Sequence, residues 1–138
     1  MGRVLCLDIG DRRVGVALSD ETRLIASPHS VFERVGWGPD LRRVQTLMKE
    51  TGADLVVSGL PKNMDGSLGY QAQKVRDFCE MLQKNGVPVE FEDERLSTVS
   101  ATDALIEGGV RREDRKGVVD KVAAAVILQA WLDKNHKG

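Results

Sequence analysis

Residues 3–20, RVLCLDIGDRRVGVALSD, constrain the fold more than any other stretch of the chain. Val4 to Ile9 and Val14 to Ser19 read as strands, and the GDRR between them reads as a short turn, so the chain opens on a β-hairpin. Asp8 stands in the first of these strands beside Val4, Leu5, Leu7 and Ile9, residues that belong in a core. An ionised carboxylate there is costly unless it is paired or binds a metal. Taken alone, a turn aspartate accepting N–H groups around Gly10 explains it as well as a ligand does.

The rest of the pattern gives the hairpin a setting. Ile25 to Val31 is a weaker third strand, and its Pro28 suits an edge position. Pro39 fits the first turn of a helix with Leu41, Val44, Leu47 and Met48 on its apolar face, ended by Gly52. ADLVVSGLP, from Ala53, is a short apolar run of the kind buried parallel strands show. PKNMDGS is a polar loop. A second helix is expected from Leu68 to Asn85, with Ala72, Val75, Phe78, Cys79 and Leu82 on one face and Gly86 as its stop. VPVEFED is a fifth strand. Ser97 or Thr98 can cap a third helix running through Leu105 and Ile106. GGVRREDRKG reads as a basic loop, and a last helix covers Val118 to Asp133. An antiparallel hairpin followed by two βα crossovers predicts an α/β fold: one mixed five-stranded sheet with helices on both faces. At 138 residues, with no linker or repeat, the chain is expected to be a single domain, 1–138.

Composition limits the function. A net charge of −1 supplies no global field for nucleic acid or membrane, so any such contact needs a local basic patch. The two cysteines, Cys6 and Cys79, form no zinc-type cluster and are expected to be reduced and buried. No apolar run is long enough to span a bilayer and no signal peptide is evident, so a cytoplasmic protein is expected.

Two further acids matter. At about 100° per residue, Asp120 falls between Ile127 and Trp131, on the side of Ala123, Ala124, Val126 and Ala130. A dipole-stabilised acid explains a place in the first turn but not one on the inward face. The cluster EDER, Glu92 to Arg95, ends the fifth strand, and ligands of open α/β sheets bind at carboxyl ends of strands. Alternation puts Glu90, Glu92 and Glu94 on one face and Asp93 on the other. Carboxylates converging in an apolar frame call for hard divalent cations such as Mg²⁺ or Mn²⁺, and two such ions suit phosphodiester hydrolysis.

The segments LDIGDRRVGVALSD, GLPKNMDGS, FEDERLSTVSA and KGVVDKVAAAVILQAWL, in that order, resemble the YqgF (RuvX) family of pre-16S ribosomal RNA nucleases and Holliday junction resolvase-like proteins. The resemblance covers nearly the whole chain. It implies a ribonuclease H-like fold and a Mg²⁺- or Mn²⁺-dependent endonuclease with two ions. Asp8, Glu94 and Asp120 would be the catalytic, metal-binding acids, with Asp93 as an alternative to Glu94. The position after DIG, often Thr or Ser in the family, is Asp11 here, which adds a carboxylate beside the site.

Basic residues flank all three acids and can hold a phosphate backbone: Arg12 and Arg13, Arg95, and Arg111, Arg112, Arg115 and Lys116. Asn63 could approach a strand from the PKNMDGS loop. With 4% aromatics, extensive base stacking is not expected. The expected partner is structured RNA, pre-16S ribosomal RNA by the resemblance, with branched DNA as the alternative, bound by a monomer or a weak homodimer. Junction cleavage would need a symmetric pair of sites. A phosphotransferase of the actin-like fold and a non-catalytic nucleic-acid-binding module are the competing classes. The first lacks its duplicated domain and the second leaves the acid trio idle.

Overall fold

A computed structural model describes residues 2–10, 12–60, 69–93 and 112–135, with backbone alone at 70, 71, 93 and 112–120. The strands are β1 (Arg3–Ile9), β2 (Arg13–Ser19), β3 (Ala26–Glu33), β4 (Ala53–Leu60) and β5 (Val89–Asp93). The helices are α1 (Trp37–Thr51), α2 (Tyr70–Lys84) and α3 (Arg112–Asn135).

The sheet order is β3-β2-β1-β4-β5. β1, β2 and β3 pair antiparallel, whereas β4 runs parallel to β1 and β5 parallel to β4. The hairpin and crossovers expected from the sequence are therefore present. Pro28 does sit on an edge strand. Val16 faces Ser30 and Ala17 faces Pro28, so His29 is the extra residue of a bulge.

Alternation along β1 divides the core. Leu5, Leu7 and Ile9 pack with Val44 and Leu47 of α1 and with Val75, Phe78, Cys79 and Leu82 of α2. Val4 and Cys6 face the other way and pack with Ala17, Val57, Ala124, Ile127, Leu128, Trp131 and Leu132. α1 and α2 thus cover one face and α3 the other. Gly52 closes α1 in the left-handed conformation (φ 76°), its N–H donating to the Met48 carbonyl at 2.9 Å.

Three expectations change. The last helix begins at Arg112, so Arg112, Arg115 and Lys116 are helical rather than part of a loop. Gly117 does not break it: one interior glycine costs about 1 kcal/mol, and RREDRK on its N-terminal side is helix-favouring, with Glu113 and Asp114 near the positive end. The buried stripe of α3 is also rotated. Leu128 and Leu132 are fully buried, while Val126 and Ala130 are only partly so. β5 starts at Val89, although Val87 remains in the core. The helix expected through Leu105 and Ile106 lies outside the described residues.

Candidate active site

Asp8 is next to last in β1, and its face of the strand is the one that carries Val4 and Cys6 toward α3. It is half-buried. Directly across in β2 is Gly15. On the other side the pairing of Leu7 with Ser58 brings Gly59 level with Asp8, and Gly59 in turn pairs with Glu92. One row across the sheet therefore reads Gly15, Asp8, Gly59, Glu92. Glycines thus flank Asp8 on both neighbouring strands. This row lies at the carboxyl ends of three neighbouring parallel strands, where open sheets bind ligands.

Glu92 is the acid that sequence reasoning passed over. Its side chain is only 7% exposed, and it forms an ion pair with Lys134 near the end of α3. At a strand spacing of about 4.8 Å, its Cα stands about 10 Å from that of Asp8. The signal was available in the alternation that puts Glu90 and Glu92 on one face. An apparently solvated EDER cluster hid the fact that α3 covers that face.

Of the expected acids, Asp8 is the one whose side chain is described. Glu94 lies outside the described residues, as do Asn63, Arg95, Arg111 and Asp11. Asp93 ends β5 opposite Leu60. Asp120 falls within the first half of α3. Arg12 is exposed and Arg13 half-buried at the turn after Asp8. Arg112, Arg115 and Lys116 follow one another on the first turns of α3. Among the described residues no group of three or more His, Cys, Asp or Glu side chains gathers at one point. The donors present at the row are carboxylate oxygens, the kind hard cations such as Mg²⁺ and Mn²⁺ take. Among the described residues no helix is long and apolar enough to cross a membrane.

The turn beyond Asp8 is closed tightly. Gly10 N–H donates to the Arg13 carbonyl at 2.9 Å. A Cβ at Gly10 would lie 2.9 Å from that same oxygen, so only glycine fits.

The order of strands, three antiparallel and two parallel with helices on both faces and an acid at the end of the central strand, defines a ribonuclease H-like fold. Solved structures agree. A Thermus thermophilus RuvC in complex with Holliday junction substrate superposes with a TM-score of 0.60 at 16% identity, covering 97% of this chain and 96% of that one. The fowlpox virus resolvase in complex with Holliday junction DNA gives 0.58 at 15% identity, covering 98% and 99%.

The chain belongs to the RuvX family, whose model, described as Holliday junction resolvase, matches residues 2–134. A Clostridioides difficile protein named "Putative pre-16S rRNA nuclease" is 47% identical over 133 residues, 96% of this chain and 94% of that protein. One of the same name from Halothermothrix orenii is 48% identical over 136 residues, 98% and 97%.

Proposed function

We propose that this chain is a divalent-metal-dependent endonuclease that hydrolyses phosphodiester bonds in structured RNA, with the 5′ end of pre-16S ribosomal RNA as its substrate. The observation that carries the reading is the row Gly15, Asp8, Gly59, Glu92: an acid between two glycines at the carboxyl end of the central strand of this fold. The names of two relatives matched over nearly their whole length support RNA over DNA.

Asp8, Glu94 and Asp120 are the proposed ligands. The buried positions of α3, Ala123, Ala124 and Ile127, lie three, four and seven residues beyond position 120, which supports Asp120 as the acid contributed by that helix. Bound Mg²⁺ or Mn²⁺ would neutralise the acids and lower the pKa of an attacking water. Asp8 holds its carboxylate toward the reacting phosphate. Arg12, exposed at the turn, binds a backbone phosphate and orients the strand without reading its sequence. Arg13, Asn63, Arg95, Arg111, Arg112, Arg115 and Lys116 are proposed as further phosphate or strand contacts. Lys134, held by Glu92, keeps a buried carboxylate neutralised beside the site.

The test is a paired cleavage assay with Mg²⁺ or Mn²⁺ on a 5′-extended pre-16S RNA fragment and a four-way DNA junction. Wild type should cut the RNA, and Asp8→Asn should lower the rate by about 10²–10⁴-fold with the fold intact. Undiminished turnover by Asp8→Asn would refute the assignment. Cleavage of the junction alone would move the protein to recombination and demand a two-site assembly.

A further inference from the structure

Arg34 lies just past β3, and its guanidinium is committed on several sides. Nη1 donates to the Gly10 carbonyl at 3.1 Å, in the turn two residues beyond Asp8. Nε lies 3.5 Å from Oδ2 of Asp40, which is buried in the first turns of α1. The guanidinium also stands over the ring of Phe78 in α2, 5.3 Å from its centroid. Its own backbone N–H donates to the Arg12 carbonyl at 2.8 Å. Asp40 spends its other oxygen on the Val35 N–H at 3.1 Å. With 17% of its side chain exposed, Arg34 is directed inward and is no candidate for holding substrate phosphate.

The contacts have a common effect. Gly10, just past β1, is joined through one side chain to the start of α1 at Asp40 and to Phe78 in the middle of α2. The carbonyl of Gly10 and that of Arg12 are both held from behind. The conformation of Gly10, which admits no side chain, sits between these bonds and the tight Arg13 contact. The two groups held in this way, the Gly10 and Arg12 carbonyls, lie just past the end of β1, where Asp8 stands.

We infer that Arg34 is a positioning residue for the Asp8 site: it locks the Gly10 and Arg12 carbonyls and so sets where Asp8 and Arg12 meet substrate. The inference rests on the nuclease reading above. Misplacing a reacting group by about 1 Å can cost about 100-fold in rate, so the lock bears on turnover more than on affinity.

Arg34→Lys separates this role from a structural one. Lysine keeps a positive charge for buried Asp40 but cannot span Asp40, Gly10 and Phe78 with a planar fork. The variant should unfold within a few degrees of wild type. Its kcat should fall about tenfold or more while KM changes less than about threefold, and the Gly10 amide should exchange about tenfold faster with that of Val57 unchanged. Arg34→Met, which strands Asp40, should be less stable and no more active. A lysine variant whose kcat stays within twofold of wild type overturns the inference. So does a kcat that recovers in step with stability between the two variants. If wild type cuts neither RNA nor junction, the nuclease reading fails, and exchange still judges the lock: unchanged Gly10 protection in Arg34→Lys overturns it.

Discussion

At the scale of single residues, burial and hydrogen bonding set the chemistry. The Cys79 thiol is pushed up to about 11 by burial, the Ser58 hydroxyl opposing this only in part. At pH 8 about one thousandth of it is thiolate. Cys6 is buried as well. Both cysteines should therefore resist a disulfide reagent at pH 8 in the native chain, reacting at least about 100-fold slower than in denaturant. Fast native labelling of either would contradict the packing. Asp20 shows the opposite shift. The Thr22 hydroxyl, then the N–H groups of Ile25 and Leu24, hold its carboxyl at about 2, below its usual 3.8. A depressed acid contributes stability that is complete above its unfolded value and lost as pH falls through the folded one. Asp20→Ala should accordingly lower the denaturation midpoint at pH 6, and the gap from wild type should close between pH 4 and pH 2. Asp8 and Cys6 were legible because a charge or thiol inside an apolar run stands out, and Cys79 because it falls on the apolar face of a helical pattern. Glu92 and Arg34 were not, because their partners Lys134, Gly10, Asp40 and Phe78 are distant or unremarkable in sequence.

At the scale of elements, α3 ties the chain together. Leu128 is fully buried against Val4, Cys6 and Val57. Leu128→Ala should cost about 2–5 kcal/mol by urea denaturation, the range for a leucine whose cavity only partly collapses. Lys134→Met should cost less, about 1–2 kcal/mol: it leaves Glu92 unpaired, but Lys134 itself is 65% exposed and its pairing is screened. Most of that loss should return in a Glu92→Gln, Lys134→Met double variant, which removes the stranded charge. Asp120→Asn should reduce cleavage with little effect on that midpoint. The reverse result would make Asp120 a dipole-stabilising acid only. The strands and the first two helices could be read from periodicity and glycine stops. The start of α3 could not, since Gly117 and a run of charges look like a loop until the packing of the following turns holds them helical.

At the scale of the whole molecule, one sheet separates two apolar cores, and the proposed functional edge is the one where β1, β4 and β5 end together. With a net charge of −1, attraction to a polyanion must be local to that edge. Affinity for an RNA fragment should fall steeply between 50 and 200 mM salt, log K against log salt having a slope of about −0.7 per phosphate contacted on a single strand. Arg12→Ala should make that slope shallower by less than about one unit. The mixed sheet with helices on both faces followed from the order of elements and the handedness of crossovers, because connections in such folds are few; the order β3-β2-β1-β4-β5 came from the structure.

The bulge at His29 and the proline beside it bear on how two copies of the chain can meet. A straight rim strand offers a ladder of donors and acceptors that a second molecule can extend. β3 is kinked in mid-course, and Pro28 has no N–H to contribute. Continuation of one sheet into another across β3 is therefore disfavoured. A pair of molecules acting together on a branched substrate would have to join through surfaces other than the β3 rim, each keeping its own row of glycines and acids.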